Sequence, residues 1–348
     1  MTAPAAPAPA PANVLTVIPC LNEAAHIAPL IAGLLADPAN TRIVIADGGS
    51  TDGTRAIVRD IAAREPRVTL MDNPARIQSA GINRAVERFG GGATWLARVD
   101  AHALYPARYV SRLIATAEAE AVDAVVVRME TRAPASLARP FARAIAAAQN
   151  SRLGTGGAAH RTGAEAGLVE HGHHALMRIA NFRAAGGYCE TMACNEDAEL
   201  DLRLLSQGAR IWLAPDLPVT YFPRTTARAL ARQYWRYGAG RATTARRHAR
   251  RLRLRQALPL AVAPACVLAL AAPLLPALAL PAAVWALLCQ GWGLALAARA
   301  GRADIALAGS AAMIMHLAWS AGYWKQEIIA RASGGRSVPA PALPFAAS

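Results

Sequence analysis

From Val14 to about Val127, short apolar runs alternate with amphipathic stretches. "VLTVI", "RIVIA", "RVTLM", "TWLARV" and "DAVVV" read as buried strands. Between them, residues 24–35, 54–64, 77–89 and 107–120 carry apolar positions at helical spacing. Strand, helix, strand at this spacing predicts an α/β, Rossmann-like domain. Its sheet should be mostly parallel and covered on both faces. Such sheets bind ligands beyond the carboxyl ends of their strands, so the polar residues there are the ones to weigh.

Residues 131–220 are less regular and rich in Gly and His: "GTGGAAH", "EHGHHALMR", "AAGGYCE". A helical run "NEDAELDLRLLSQG" and a strand-like "RIWLA" follow, and no internal repeat is visible. From Ala257 to Ala298 no residue is charged. As helix that run would extend ~60 Å, about twice a ~30 Å hydrocarbon core. Pro273, Pro276 and Pro281 fall in its middle, where a turn belongs. Two transmembrane helices in a hairpin are expected. A third apolar run covers Ile305 to Trp324, with Trp319, Tyr323 and Trp324 near one end as in an interfacial belt.

Charge sharpens this picture. The chain has 348 residues, 54% of them hydrophobic and 17% charged, enough to build a core. Its net charge of +14 suits nucleic acid, anionic lipid or phosphorylated substrates. Arg224, Arg228, Arg232, Arg236, Arg241, Arg246, Arg247, Arg250, Arg251, Arg253 and Arg255 gather just before the apolar region. The positive-inside rule then puts this flank and the N-terminal domain on the cytoplasmic side. Anionic headgroups account for the charge, and nucleic acid is not expected as a partner. Three spans would leave Lys325, Arg331 and Arg336 outside, against the same rule, so the span number stays open at two or three.

The five cysteines include no C-x-x-C pair, which argues against a disulfide framework or zinc ribbon. The opening "MTAPAAPAPAPAN" has neither a basic n-region nor a long apolar h-region. It reads as a disordered lead-in, not a signal peptide.

The first predicted strand runs into "PCLNE" and the second into "ADGGSTDGT". Gly48, Gly49 and Gly53 allow positive φ and close approach of a ligand. Asp47 can accept hydrogen bonds from a base or ribose, while Ser50, Thr51 and Asp52 can cap the next helix. Taken alone, "DGGSTDGT" also fits a plain turn and cap. Arg76 and Asn83 in "DNPARIQSAGINRA" can reach a phosphate or base, or sit on a solvated helix face. The fourth strand leads to Asp100-Ala101-His102. A carboxylate with an imidazole suits Mn²⁺ or a similar cation, which would neutralise charge on a departing diphosphate.

"IPCLNE", "IADGGSTDGT" and "VDAH", in this order and followed by "NEDAELDLRL", resemble family 2 inverting glycosyltransferases of the GT-A fold. "NPARIQSAGINRA", "RVDAHA" and "EHGHHA" are similar to the succinoglycan-biosynthesis, ExoA-like branch of that family. The resemblance covers roughly residues 14–255 and implies roles position by position. Pro19, Asn22 and Glu23 would line the nucleotide pocket. Asp47 would contact the uracil or ribose of a UDP-sugar, with Gly49 and Arg76 beside it. Gly48 stands where the family often has a second Asp, so that contact is lost. Asp100 would be the first acid of the D-x-D motif and would face donor and metal, with His102 replacing the second acid. Asp197 would be the general base that deprotonates the acceptor hydroxyl. From the residues alone, Glu196, Asp197, Glu199 and Asp201 at a helix start also fit favourable placement on the helix dipole. "QYWRY" resembles the Q-x-x-R-W signature of processive synthases. It would place Gln233, Arg236 and Tyr237 near the acceptor and diphosphate, with Glu196 beside them. A plain interfacial helix, with Arg228, Arg232 and Arg236 on one face, explains the same residues. His171, His173 and His174 in "EHGHHALMR" fit pocket lining near the acceptor, or a second metal site, although they form no helical i, i+4 pair.

The expected organisation is a lead-in (1–13), a GT-A domain (14–225), a basic interfacial region (226–256), a transmembrane region (257–329) and a tail (330–348). The expected activity is transfer of a sugar from a nucleotide-sugar to a polyprenyl-diphosphate-linked acceptor at the cytoplasmic membrane. A divalent cation, Mn²⁺ or Mg²⁺, would be the cofactor and the product an exopolysaccharide or related glycan. A processive polysaccharide synthase and transfer of one sugar to polyprenyl phosphate are the alternatives.

Overall fold

The computed structural model describes residues 13–133, 139–162, 165–192, 194–252, 254–332 and 345. The expected lead-in, apart from Asn13, and most of the expected tail lie outside the described residues.

The first half alternates as the pattern predicts. It runs β1 (Val14–Cys20), α1 (Ile27–Leu35), β2 (Arg42–Asp47), α2 (Thr54–Ala62), β3 (Val68–Asp72), α3 (Gln78–Phe89), β4 (Trp95–Arg98), the two-residue β5 (Ala103–Leu104), α4 (Tyr109–Ala119) and β6 (Ala124–Thr131). The less regular stretch holds α5 (Pro140–Gln149), α6 (Arg152–Thr155), α7 (Ala159–Thr162), β7 (Gly167–Leu168), β8 (His173–Arg178), α8 (Ile179–Ala184), α9 (Glu196–Ser206) and β9 (Ile211–Tyr221). One sheet runs in the order β3-β2-β1-β4-β8-β6-β9-β5, with β7 on β9.

Its two faces carry separate cores. On β1, Val14, Ile18 and Cys20 enter one cluster and Leu15 and Val17 the other, as alternation along a doubly covered strand requires. The sheet is mixed, which corrects the expectation of a mostly parallel one. β3, β2, β1 and β4 are parallel, but β8 enters antiparallel between β4 and β6. β8 is "HHALMR", and two histidines at its start hide its apolar pattern although both are buried.

The C-terminal third forms α10 (Ala227–Arg247), α11 (Leu254–Ala257), α12 (Val262–Ala269), α13 (Leu280–Ala300) and α14 (Ala308–Ala332). Two helical segments, Pro276–Ala300 and Ala303–Ala332, are long and apolar enough to cross a membrane. The expected hairpin is lopsided: its first arm, Leu258–Ala269, has only 12 helical residues and reaches ~18 Å. Leu275 is extended (φ −145°) because Pro276 disfavours helix in the residue before it. A third core joins Ile145 of α5, Leu230 of α10 and Ala311 and Met315 of α14.

Candidate active site

The carboxyl ends of β1, β2 and β4 meet at one edge of the sheet, and the sequence motifs close on each other there. Asn22 (φ 58°) turns the chain after β1, and its N–H donates to Ser50 Oγ at 2.8 Å. Its side-chain oxygen accepts from Thr51 N at 2.9 Å. Glu23 N–H donates to Thr54 Oγ1 at 2.9 Å. "LNE" and "GSTDGT" are thus one interlocked pair of loops. Pro19 is half-buried within β1. Gly49 has φ +87°, a conformation that favours glycine, and the exposed Arg76 donates from Nε to Gly48 O at 2.9 Å.

Asp47 is buried and heavily engaged. It accepts from Gly49 N and Ser50 N at 3.0 Å, from Ser50 Oγ at 2.5 Å and from Arg55 Nη1 at 2.7 Å. Burial would raise its pKa, but the Ser50 and Arg55 hydrogen bonds hold it below the usual carboxylate range. Its carboxylate staples the glycine loop, and a contact to a nucleotide base would have to replace one of these donors.

Asp100 follows β4. Its Oδ1 is buried without a hydrogen-bond partner, and its Oδ2 lies 3.5 Å from His173 Nε2. The Tyr105 hydroxyl accepts from Asp100 N at 2.6 Å and fixes the turn. His102 is half-exposed, and its Nδ1 lies 3.0 Å from Glu23 Oε1. A carboxylate at Nδ1 makes that nitrogen the proton carrier and leaves Nε2 with a lone pair, the usual outer-sphere arrangement of a metal-binding imidazole. Burial pushes His173 down to about 4, so this ring is neutral at physiological pH. No group of three or more His, Cys, Asp or Glu among the described residues is arranged to hold a metal by itself. Asp100 and the Glu23-oriented His102 are the residues here that would hold a divalent cation.

A second buried charge at this edge is Arg98, the last residue of β4. It is 5% exposed and ion-pairs with Asp197. Asp100 Oδ1 lies 3.6 Å and Glu196 Oε1 3.7 Å from its guanidinium nitrogens. With its amide oxygen turned toward Arg98, Gln78 accepts from Nε at 2.9 Å. Burial would raise the Asp197 pKa, but Arg98 and then His174 hold it below the usual range. Glu196 goes the other way: burial and the Asp197 charge push it up to about 7. Behind Asp197, His174 Nε2 meets Asp201 at 2.6 Å, His174 Nδ1 meets the Tyr188 hydroxyl at 2.7 Å, and His171 meets Asp201 at 2.7 Å.

"QYWRY" closes the far side. Gln233 Nε2 donates to the hydroxyls of Tyr221 and Tyr237, each at 3.0 Å. Asn195, next to Glu196, donates from Nδ2 to Tyr237 O at 3.2 Å, and Cys194 Sγ donates to Arg236 O at 3.0 Å. The Tyr221 ring faces His102 at 6.4 Å between centroids. The Arg236 side chain is exposed, as are Arg228 and Arg232.

The structure therefore brings Glu23, Asp100, His102, His173, Glu196 and Asp197 to one sheet edge, flanked by Gln233 and Tyr237. Sequence reasoning missed Arg98, Gln78 and Tyr188, and did not foresee the pairing of His174 with Asp201. Arg98 carried one signal: a charge inside an otherwise apolar strand.

Residues 16–184 match the model of "Glycosyl transferase family 2". The chain is 51% identical over 314 residues to "Succinoglycan biosynthesis protein ExoA" of Rhizobium meliloti (strain 1021), covering 90% of this chain and 94% of that protein. Among solved structures it is similar to the mannosyltransferase PcManGT of Pyrobaculum calidifontis, solved with GDP-Man and Mn²⁺. There the TM-score is 0.60 at 21% identity, over 90% of this chain and 87% of that one.

Proposed function

The chain belongs to glycosyltransferase family 2, and we propose that it transfers a sugar from a nucleotide-sugar to a lipid-linked saccharide during exopolysaccharide synthesis. The observation that carries this reading is the convergence of Asp100, His102 and the Glu196–Asp197 pair at the carboxyl edge of the sheet. The donor is a nucleoside diphosphate sugar, which we take to be UDP-linked, held by the loops after β1 and β2. Asp100 and His102 hold a divalent cation, Mn²⁺ or Mg²⁺, with Glu23 orienting the imidazole. When bound, that cation neutralises charge on the departing diphosphate.

The residues of the chain do the rest. Asp197, kept ionised by Arg98, takes the proton from the acceptor hydroxyl. The hydroxyl oxygen then attacks the anomeric carbon, the nucleoside diphosphate leaves from the opposite face, and configuration inverts. Gln233 and Tyr237 flank the acceptor side. The acceptor is a sugar on a polyprenyl diphosphate, because apolar helices tether the domain beside a bilayer and the exposed arginines suit anionic headgroups. The domain faces the cytoplasm, where nucleotide sugars are made.

One observation favours a second assignment of the base. Burial and the Asp197 charge push the Glu196 pKa up, toward the working pH, while Asp197 is ion-paired to Arg98. General bases work best when their pKa is near the working pH.

The test is Asp197→Asn beside Glu196→Gln, each assayed for transfer and for nucleotide binding in washed membranes with a lipid extract. Asp197→Asn should lower transfer by about 100-fold or more and leave nucleotide binding intact. A collapse with Glu196→Gln alone would move the base to Glu196. Full activity in both variants would refute an acid pair at the reacting hydroxyl.

A further inference from the structure

The fastening of α14 speaks to how the chain meets the membrane, and it builds on the membrane attachment proposed above. α14 spans 25 residues, about 37 Å of helix, enough to cross a ~30 Å core. Yet it is tied to the catalytic side along its whole length. Just before its first turn, Asp304 pairs with Arg143 of α5 at 2.5 Å. At mid-helix, His316 Nε2 meets the carbonyl of Leu153 in α6 at 2.8 Å. Farther on, Gly322 packs against the Trp235 backbone of α10 and Gly238 against that of Trp319. Near the C-terminal end, Glu327 lies 3.5 Å from Arg246 of α10, and the Lys325 ammonium stands over the Trp235 ring. α14 is thus bound at both ends and in the middle to α5, α6 and α10, and α10 carries exposed arginines that hydrocarbon does not hold, so the two ends of α14 stay on one side of a bilayer.

α13 follows α14 in antiparallel register. Trp285 donates to His316 at 3.3 Å and Gln290 to Ser310 at 3.1 Å, and Gly293 faces the backbone of Ala306 and Gly309. These contacts cover the stretch 285–293 against 306–316. α13 therefore lies antiparallel along α14, and its Ala297 reaches the core shared with α5. The preceding arm is too short to cross. It starts where the Leu260 carbonyl accepts from Ser320 Oγ at 2.9 Å and Trp324 Nε1 at 2.8 Å, again on α14. These polar groups are satisfied within the helical layer, as hydrocarbon requires.

The outer surface is apolar and open. Leu280, Val284, Leu287, Leu288 and Leu294 form one exposed stripe on α13, continued by Val267, Leu268 and Leu270 and by Leu274 and Leu275 in the turn.

We propose that α12, α13 and α14 lie in the plane of the membrane, buried in one leaflet of an anionic bilayer, and that no segment among them spans it. The occupant of the apolar face is lipid. Cations stand at both ends of α14, Arg299 and Arg302 at one and Lys325 and Arg331 at the other, which suits two ends on the same anionic surface. The exposed arginines of α10 supply the headgroup contact. This arrangement removes the conflict with the positive-inside rule that three spans create.

The test uses the full chain in spheroplasts and in inverted vesicles. Cysteines replace Leu274 in the α12–α13 turn, Ala300 between α13 and α14, and Ala332 after α14. Each is probed with a membrane-impermeant maleimide against the unsubstituted chain. In a second measurement, a fluorophore at Val284, Leu288 or Ala295 is quenched by lipids brominated at different depths. Labelling at 300 and 332 from the cytoplasmic side only, no labelling of the lipid-covered site at 274 from either side, and equal depth at 284, 288 and 295 are expected. Labelling of any site from outside overturns the proposal. So does a depth gradient approaching the ~16 Å that eleven helical residues span. Crosslinking between copies of the Leu288→Cys variant, in place of lipid quenching, overturns lipid as the occupant. A chain that does not sediment with membranes fails the attachment itself; a bound chain labelled from outside fails only the in-plane arrangement.

Discussion

At Arg98 a full positive charge is buried among Asp197, Glu196 and Asp100. Without it, three carboxylates would share a site that water scarcely reaches, and like charges at such distances cannot all stay ionised. Arg98→Met keeps the length and apolar stem but removes the charge. Breaking one side of a buried ionic cluster costs on the order of 3–5 kcal/mol. The variant should show that loss in thermal unfolding of the detergent-solubilised protein, and Asp197 should lose the partner that keeps it ionised. An unfolding midpoint equal to that of the unsubstituted chain would show that the carboxylates find compensation elsewhere. That Asp100, His102 and Asp197 stand at strand or helix ends was legible in the sequence, because each belongs to a recognisable motif. The contact between His174 and Asp201 was not. Their pairing joins positions 27 apart, and no local pattern marks a histidine in a strand as a buried partner.

Elements divide in the same way. β1 to β4 and α1 to α4 follow from hydrophobic period alone, with ends shifted by a few residues. β8 did not, because its direction is set by pairing with β4 and β6 and its first residues are histidines. The span count stayed open for another reason: length and composition cannot tell a helix that crosses a bilayer from one that lies along a protein. The α10–α14 contact depends on absent side chains. A Cβ on Gly238 would run into the Trp319 carbonyl, and one on Gly322 into the Trp235 carbonyl. Small residues let helix backbones approach this closely. Gly238→Ala should therefore force the helices apart, at a cost of roughly 1–3 kcal/mol. Gly291 on α13 has nothing within 4 Å of its Cβ position. Gly291→Ala should be neutral or raise stability by up to about 1 kcal/mol through helix propensity. Thermal unfolding of the two variants side by side checks both, and equal effects would argue against a close crossing.

For the whole molecule, one buried carboxylate ties the catalytic domain to the end of the basic helix. Glu199 on α9 is fully buried. It takes Arg203 Nη2 at 2.6 Å and His248 Nε2 at 3.0 Å, with Arg247 at 3.7 Å. Burial alone would raise its pKa, but His248 and Arg203 bring it down to about 2. A carboxylate depressed in the folded state contributes stability above its unfolded pKa, near about 4.3. That contribution is lost as pH falls through the folded value. The window is therefore about pH 4.5 down to about 2, and the shift corresponds to roughly 3 kcal/mol. Asp47, Asp197 and Asp201 are also depressed and add loss in the same direction. His174 is raised by Asp201 and Asp197 against its burial, so its contribution is complete below about pH 6.5 and fades as pH rises through its folded value. Glu199→Gln should be less stable than the unsubstituted chain at about pH 6, with the gap closing as both approach about pH 2. Unfolding curves of the two proteins across that range decide it: a gap that stays constant with pH would mean that Glu199 contributes through packing and not through its charge.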